Sequence, residues 1–234
     1  MPSRTPASPK SSFPKASQAV DERIFNALNL KRFSESGQGR EGEIIVAAFH
    51  CISDLGIAGT TTRAVAQRAG INLGSIHYYF DSKDSLLLGV LKHLMKHKAK
   101  TFRTIRCSPL SPTQKIYYLF RSGSNFMQDS AEVVATISLW AHAVTQSGVW
   151  RSVYRKLFNE LREELKAIID EGNDCGEFRN TESLVLAETI FVAVQGISMH
   201  FVMTPADFVR ESLDDRLVKL FFRMLGVDEK RARA

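Results

Sequence analysis

The stretch TTTRAVAQRAGINLGSIHYYF, residues 60–80, contains two short helical patterns separated by a glycine. One of the threonines at its start can cap a first helix, whose Val65, Ala66 and Ala69 face inward. Gly70 then stops that helix, because glycine tolerates the left-handed backbone of a helix end. The first half of the stretch is therefore predicted to be a helix of about two turns.

The second half begins a new helix near Asn72, on which Ile76 and Phe80 share one side. The other side is polar and aromatic and carries Gly74, Ser75, His77, Tyr78 and Tyr79. Exposed rings solubilise a protein poorly, but they can stack on sugars, touch thymine methyl groups and donate hydrogen bonds to phosphates. Two short helices with a tight glycine turn and such a second helix are typical of a helix-turn-helix motif.

The regions around this stretch are also helical in pattern. Apolar residues of 41–56 form one stripe, and Asp81 with Asp84 is predicted to start another helix with one apolar and one basic side. Further helical patterns lie at 112–128, 130–146, 149–171, 182–203 and 208–225. Asp129 and Thr181 are predicted caps of two of them. No segment alternates as a strand does, so the predicted fold class is all-α.

Composition limits the class of protein. The chain has 234 residues, 44% of them hydrophobic and 24% charged, as in a globular protein. No apolar run approaches the roughly 20 residues of a membrane span, and no secretory signal is present. Three cysteines in no CxxC pair favour a reducing compartment. We therefore predict a soluble cytoplasmic protein that does not associate with a membrane.

Positive charge is concentrated in one part of the chain. The net charge is +6, and residues 60–106 contain nine basic and two acidic side chains. The positive excess therefore lies in the quoted stretch and in the helix that follows it.

The pattern divides the chain into four regions. Residues 1–39 are predicted to be a disordered basic extension, either an inert leader or an arm that reaches DNA. Residues 40–85 form the helix-turn-helix domain, 86–226 a helical regulatory and dimerisation domain, and 227–234 a C-terminal tail.

The order of these elements resembles a known family. An amphipathic helix, then TTTRAVAQRAG, a short element ending in HYYF, and DSKDSLL is similar to the N-terminal domain of TetR-type transcriptional repressors over residues 41–91. The C-terminal resemblance is limited to patches such as LWAHAV. The resemblance implies a homodimer that binds a double-stranded DNA operator with its N-terminal domains and a small-molecule inducer with its C-terminal domains.

The resemblance also implies which residues bind DNA. Thr62 and Arg63 would meet the backbone or a base edge, and Lys83 would hold a phosphate at the start of the next helix. The recognition helix would contribute Asn72, Leu73, Gly74, Ser75, His77, Tyr78 and Tyr79. Two of these depart from the family pattern: Leu73 replaces a polar residue and projects towards DNA or the core, and His77 stands where tyrosine is commonest.

The helices after residue 112 are rich in rings and aliphatic side chains. Most of these residues belong to a core, but the resemblance places the inducer among the same helices, and a pocket there would favour a mainly hydrophobic molecule. The candidate ligand residues are Phe120, Phe126, Met127, Ile137, Trp140, His142, Tyr154 and Phe158. In the last two helical patterns the apolar surface is either core or a dimer contact formed by Leu184, Ala187, Phe191, Val194, Phe201, Leu213, Leu217, Leu220, Phe221 and Met224.

Catalytic and metal-binding patterns are missing from the sequence. His93 and His97 are four residues apart, but they lack the glutamate of a metalloprotease motif and lie among lysines that would repel a cation. No nucleophile elbow or phosphate-binding loop is present. We therefore predict no enzymatic activity, no cofactor and no metal. The alternative to a DNA-binding regulator is a helical ligand-binding protein or enzyme whose N-terminal helix pair is only structural.

Overall fold

The structure, a computed structural model, describes residues 24, 28, 30, 33–128, 130–146, 148–179, 182–203 and 218–227, without the side chains of 121, 123–128, 130 and 201. Every regular element in these ranges is helical, which confirms the predicted all-α class. A 3₁₀ helix at Phe33–Glu35 is followed by α1 (Gly39–Gly59), α2 (Thr62–Ala69), α3 (Leu73–Tyr79), α4 (Lys83–Arg106), α5 (Pro112–Gln128), α6 (Ser130–Thr145), α7 (Gly148–Asp174), α8 (Ser183–Met203) and α9 (218–224).

Helix α1 is the central element of the N-terminal domain. Its apolar stripe is buried as predicted except for Leu55, which is 52% exposed, and the helix packs against α2, α4 and α6. Gly56 has a φ of 67° and interrupts the helical backbone, so the predicted end of this helix near Gly56 is confirmed as a break. Thr60 closes the last turn, because its hydroxyl donates to the Gly56 carbonyl at 2.7 Å.

Some described residues before α1 pack against the helices. The Phe33 ring is buried 4.9 Å from the Phe49 ring and 5.9 Å from the His97 ring, measured between centroids. Ile24 and Leu28 pack against a second group of buried residues formed by α5, α7, α8 and α9. The apolar side chains of Ile24, Leu28 and Phe33 therefore find partners that sequence alone does not reveal, and the boundary of the predicted extension at residue 39 stays a prediction.

The predicted cap of α4 is wrong by one residue. Ser82, not Asp81, has the extended backbone of an N-cap, and its hydroxyl accepts from the Ser85 amide at 3.1 Å. The Ser85 hydroxyl accepts in turn from the Ser82 amide at 3.1 Å, which completes a capping box. The Asp84 carboxylate consequently takes no part in the capping box.

The C-terminal helices surround α4 and α7. Helix α4 packs along α7, and both Arg103 and Arg106 hold the Glu164 carboxylate, Arg103 at 3.0 Å. Helix α6 packs on α1 and α7 packs on α8, so the two predicted domains share one continuous set of contacts. The partly buried Lys98 ammonium lies 3.3 Å from the Glu132 carboxylate between α4 and α6, and desolvation lowers the lysine pKa.

Two described helices, α1 and the Ser183–His200 part of α8, are long and apolar enough to cross a membrane by length and composition. Helix α1 packs inside the core, and core helices of soluble proteins pass the same test. The absence of a membrane partner stays a prediction.

Several predictions fall outside the described residues. They concern the extension up to residue 23, the C-terminal tail from 228, the caps Asp129 and Thr181, and the side chains of Phe126 and Met127.

Candidate nucleic-acid interface and regulatory cluster

The turn between α2 and α3 is built as the sequence predicts. The Thr61 hydroxyl caps α2 by accepting from the Ala64 amide at 3.1 Å, and Val65 and Ala66 are buried. Gly70 ends the helix in the left-handed region, with φ 65° and ψ 33°. This conformation is readily adopted by glycine, so the direction of the next helix depends on that residue.

Helix α3 is fixed by its own cap and by two buried anchors. The Asn72 side-chain oxygen accepts from the Ser75 amide at 2.8 Å and from the Ser75 hydroxyl at 3.0 Å. Ile76 and Phe80 are both buried, which confirms that they share the inner side. A Cβ on Gly89 of α4 would come within 2.9 Å of the Phe80 ring, so glycine permits this close contact.

The outer side of α3 is the exposed surface that the sequence predicts. Tyr78 is 82% exposed and Tyr79 is 40% exposed, and their rings meet edge to face at 4.9 Å. His77 of α3 and Arg63 of α2 are also exposed. Leu73 is partly buried against the core, which favours the core over DNA for that residue. Of the other candidates, Asn72 and Gly74 are exposed and Thr62 and Ser75 are partly buried.

Lys83 has a structural role that the sequence did not indicate. Its ammonium donates to the main-chain carbonyls of Ile57 at 2.5 Å and Ala58 at 3.1 Å. These carbonyls belong to the last turn of α1, where a positive charge is favourable. Lys83 thus joins the start of α4 to the end of α1, and its phosphate contact stays a prediction.

An exposed ion pair also fixes α2 to α1. Arg68 donates to the Asp54 carboxylate at 2.6 Å. The sequence signal for this pair is absent, because the residues are distant in the chain and belong to different helices.

Three of the candidate ligand residues lie together. The Trp140 ring meets the Tyr154 ring at 6.2 Å, and the Tyr154 ring stacks on the Phe158 ring at 5.4 Å. Phe191 of α8 lies 5.1 Å from Phe158, and Phe102 of α4 stacks on Phe191 at 5.9 Å. We call these five residues the aromatic cluster; all five are only partly buried.

The remaining candidates lie elsewhere. Phe120 stacks on the buried Phe221 at 5.0 Å, in the second group of buried residues. Ile137 is partly buried on α6. His142 contacts Trp150 edge to face at 5.0 Å, near the N-terminal end of α4. Sequence reasoning therefore identified three of the five members as ligand candidates. It assigned Phe191 to the core or the dimer contact and did not single out Phe102.

A second feature missed from the sequence joins α4 to the α6–α7 turn. The Trp150 indole donates to both carboxylate oxygens of Asp84, at 3.0 and 3.1 Å, and its ring is buried. The His142 Nε2 atom is 3.7 Å from the same carboxylate. We call Asp84, His142 and Trp150 the junction. Asp84 follows Lys83 in the predicted DNA-binding domain, whereas His142 and Trp150 belong to the predicted regulatory domain. The junction therefore connects the two predicted domains.

The described residues contain no group of three or more potential metal ligands. The His93 ring pairs with the Gly89 carbonyl at 3.2 Å, while His97 packs against Phe33. The two histidines thus have local structural partners.

Comparison with known proteins identifies both halves of the chain. Residues 44–90 match the model of the bacterial regulatory proteins of the tetR family, and residues 124–221 match the BetI-type transcriptional repressor C-terminal model. The regulator PksA of Bacillus subtilis (strain 168) is 23% identical over 170 residues, which cover 71% of this chain and 80% of PksA. BetI of Paraburkholderia phytofirmans is 30% identical over 49% of this chain, and the match spans only 60% of that BetI.

Solved structures share the fold. The regulator FadR of Bacillus subtilis, solved with stearoyl-CoA, has a TM-score of 0.67 at 18% identity and covers 78% of this chain and 97% of FadR. A regulator of Saccharomonospora viridis, solved with choline, has a TM-score of 0.69 at 16% identity and covers 78% of this chain and 95% of that one. The matched families and relatives are transcriptional regulators, not enzymes. The chain belongs to the TetR family of transcriptional regulators.

Proposed function

We propose that this regulator is a repressor that a small, mainly hydrophobic ligand releases from a palindromic operator. In this proposal residues 40–85 bind DNA, residues 86–226 bind the ligand and form a homodimer, and the protein works in the cytoplasm. The observation that carries the proposal is the outer side of α3, where Tyr78 is 82% exposed on a helix whose inner side is anchored by buried Ile76 and Phe80.

The DNA-binding part predicts a specific loss. Tyr78→Ala should weaken operator binding while the melting temperature stays unchanged, since the ring makes its described contact only with Tyr79. Tyr78→Phe is the matched control, because it keeps the ring and removes only the hydroxyl. Gel-shift titrations at several salt concentrations would separate base contacts from phosphate contacts. Equal affinity of all three proteins for an operator taken from DNA flanking the gene would contradict this assignment.

The dimer surface is proposed to be the free side of α8. Val185, Val192, Met199 and Met203 are exposed at spacings of seven, seven and four residues, which place them on one side of the helix. Gly196 lies on the same side with open space where a Cβ would be, so a second helix can approach closely. A two-fold operator needs two recognition helices about 34–36 Å apart, which one chain does not supply.

The predicted dimer residues differ in how deeply the chain itself buries them. Ala187 and Phe221 are buried within the chain and so belong to its own core. Phe191 and Val194 are partly buried against that core. Leu184 of α8 and Leu220 and Met224 of α9 are exposed, so they stay candidates for the dimer contact. The side chain of Phe201 and the residues Leu213 and Leu217 are not among the described parts of the chain.

The ligand is proposed to bind at the aromatic cluster. These rings join α4, α6, α7 and α8, so a molecule between them contacts the helix that leads to the DNA-binding domain. Release requires that the ligand prefer a dimer shape in which the recognition helices no longer fit the operator, because equal affinity for both shapes shifts nothing. Trp140→Ala should keep operator binding and lose the ligand response. An unaltered response would place the ligand elsewhere.

A further inference from the structure

Two hydrogen-bond donors on α6 are buried without a partner. The Thr136 hydroxyl and the Trp140 indole N–H are both inaccessible to solvent and make no hydrogen bond. The whole Thr136 residue is 1% exposed. The two residues are four positions apart, so their side chains are neighbours on one side of the helix.

The Thr136 hydroxyl differs from similar groups in the same protein. Thr189 and Ser198 of α8 each donate to the carbonyl four residues earlier, both at 2.8 Å. That is the usual solution for a hydroxyl within a helix. The Thr136 hydroxyl does not do this, and the Trp140 N–H, which can only donate, has no acceptor at all. Buried polar atoms are nearly always paired, and of the five described exceptions only Thr136 and Trp140 lie one helical turn apart in the chain.

The surroundings of this donor pair fit an organic ligand. The Trp140 ring is part of the aromatic cluster and meets Tyr154 edge to face. The Tyr154 hydroxyl donates to the Gln195 side-chain oxygen over a long 3.4 Å. Burial raises the pKa of the Tyr154 phenol above its usual range. The donor pair of Thr136 and Trp140 therefore lies beside the rings of the aromatic cluster.

The adjacent charges are already neutralised. One turn before Thr136, the Glu132 carboxylate pairs with the partly buried Lys98 ammonium at 3.3 Å. An incoming acceptor oxygen is thus not opposed by an unpaired carboxylate on this side of α6. The Trp140 N–H can only donate and therefore favours an acceptor oxygen, to which the Thr136 hydroxyl can donate as well.

We infer that Thr136 and Trp140 together bind an acceptor oxygen of the ligand, and that the apolar body of the ligand lies against Tyr154, Phe158 and Phe191. This inference rests on the proposed ligand role of the aromatic cluster. It narrows the ligand class to apolar organic molecules that carry a carbonyl, carboxylate or hydroxyl oxygen, and it excludes plain hydrocarbons.

The first test uses the ligand-free protein. Thr136→Val keeps the shape of the side chain and removes the unpaired hydroxyl, so the melting temperature should rise by about 3 °C. Ser198→Ala is the matched control, since it removes a buried hydroxyl that is paired. Its melting temperature should stay unchanged or fall. If Thr136→Val also lowers the melting temperature, the hydroxyl has a structural partner and the inference is overturned.

The second test compares two probes of one shape. 2-Acetylnaphthalene carries a carbonyl oxygen, and 2-ethylnaphthalene does not. The ketone should raise the wild-type melting temperature more than the hydrocarbon does, and both Thr136→Val and Trp140→Phe should abolish the difference. Equal shifts for the two probes, zero included, would overturn the acceptor role. Failure of the proposed function would appear separately, as a wild-type protein that binds no operator.

Discussion

Replacement of Trp150 by phenylalanine tests whether the junction joins the two domains. The Trp150 indole donates to the Asp84 carboxylate at 3.0 and 3.1 Å, and its ring is almost completely buried. Phenylalanine keeps most of the apolar ring and removes the donor. The change therefore breaks the polar contact between the start of α7 and the first turn of α4 without unfolding either helix.

The size of the effect follows from burial on each side of the contact. A hydrogen bond to a charged group contributes about 1.5–3 kcal/mol. The Asp84 side chain is 57% exposed, so water replaces the lost donor and the cost lies at the lower end. The smaller ring leaves a space that costs about 1 kcal/mol more. We expect the free energy of unfolding to fall by roughly 2–3 kcal/mol.

Denaturant unfolding would measure this loss, and Asp84→Asn is the matched variant. Asparagine keeps an acceptor oxygen for Trp150 and removes the charge, so it should cost about half as much. Hydrogen exchange should become faster at the amides of residues 85–90 in Trp150→Phe and less so in Asp84→Asn. A loss below about 0.5 kcal/mol in both variants, with unchanged exchange, would refute the view that the junction holds α4.

Three other changes test separate contacts. Without DNA, Lys83→Ala should lower the free energy of unfolding by about 1 kcal/mol, because it removes the donor to the last turn of α1. If the ammonium also contacts a phosphate, the same change should reduce the salt slope of operator binding by about one unit. Lys98→Met should cost about 3 kcal/mol in denaturant unfolding, and adding Glu132→Leu should restore most of it, since an unpaired buried charge is worse than none. Val192→Glu should convert a dimer to a monomer in sedimentation, whereas Val144→Glu, at a site 74% exposed on α6, should not; a monomeric wild type would contradict the dimer.

The helix-turn-helix motif was predictable because its determinants are local. The cap Asn72 and the left-handed Gly70 act within a few residues of themselves in the chain. The period of the apolar residues placed Ile76 and Phe80 on the inner side without knowledge of what they contact. The exposed tyrosines followed from the same projection, because Tyr78 and Tyr79 do not share the side of Ile76 and Phe80.

The contacts between helices were not predictable in the same way. Lys83 appeared to be an exposed cation, yet its ammonium reaches carbonyls 25 and 26 residues earlier. Trp150 showed no sequence signal for Asp84, which is 66 residues away. Both contacts depend on how α4 packs against α1 and α7, and amphipathic periodicity specifies a buried side without specifying its partner.

The one-residue error at the start of α4 shows how local capping determines a distant contact. If Asp81 were the cap, Asp84 would occupy the third helical position and would turn back to the chain end. With Ser82 as the cap, Ser85 takes that position and the Asp84 carboxylate is available to Trp150. The same turn holds the end of α1 through Lys83.

The recognition helix is connected to α4 by a second contact. Phe80 ends α3 and packs against Gly89, two turns into α4, at a distance that leaves no room for a larger side chain. A shift of α7 must therefore either break the Trp150 hydrogen bond or displace the first turns of α4, and any displacement of α4 acts on α3 through Phe80. Because packed interfaces change between discrete arrangements rather than deform smoothly, the proposed ligand contact at the aromatic cluster would need only a small shift to alter the spacing of the two recognition helices in the proposed dimer.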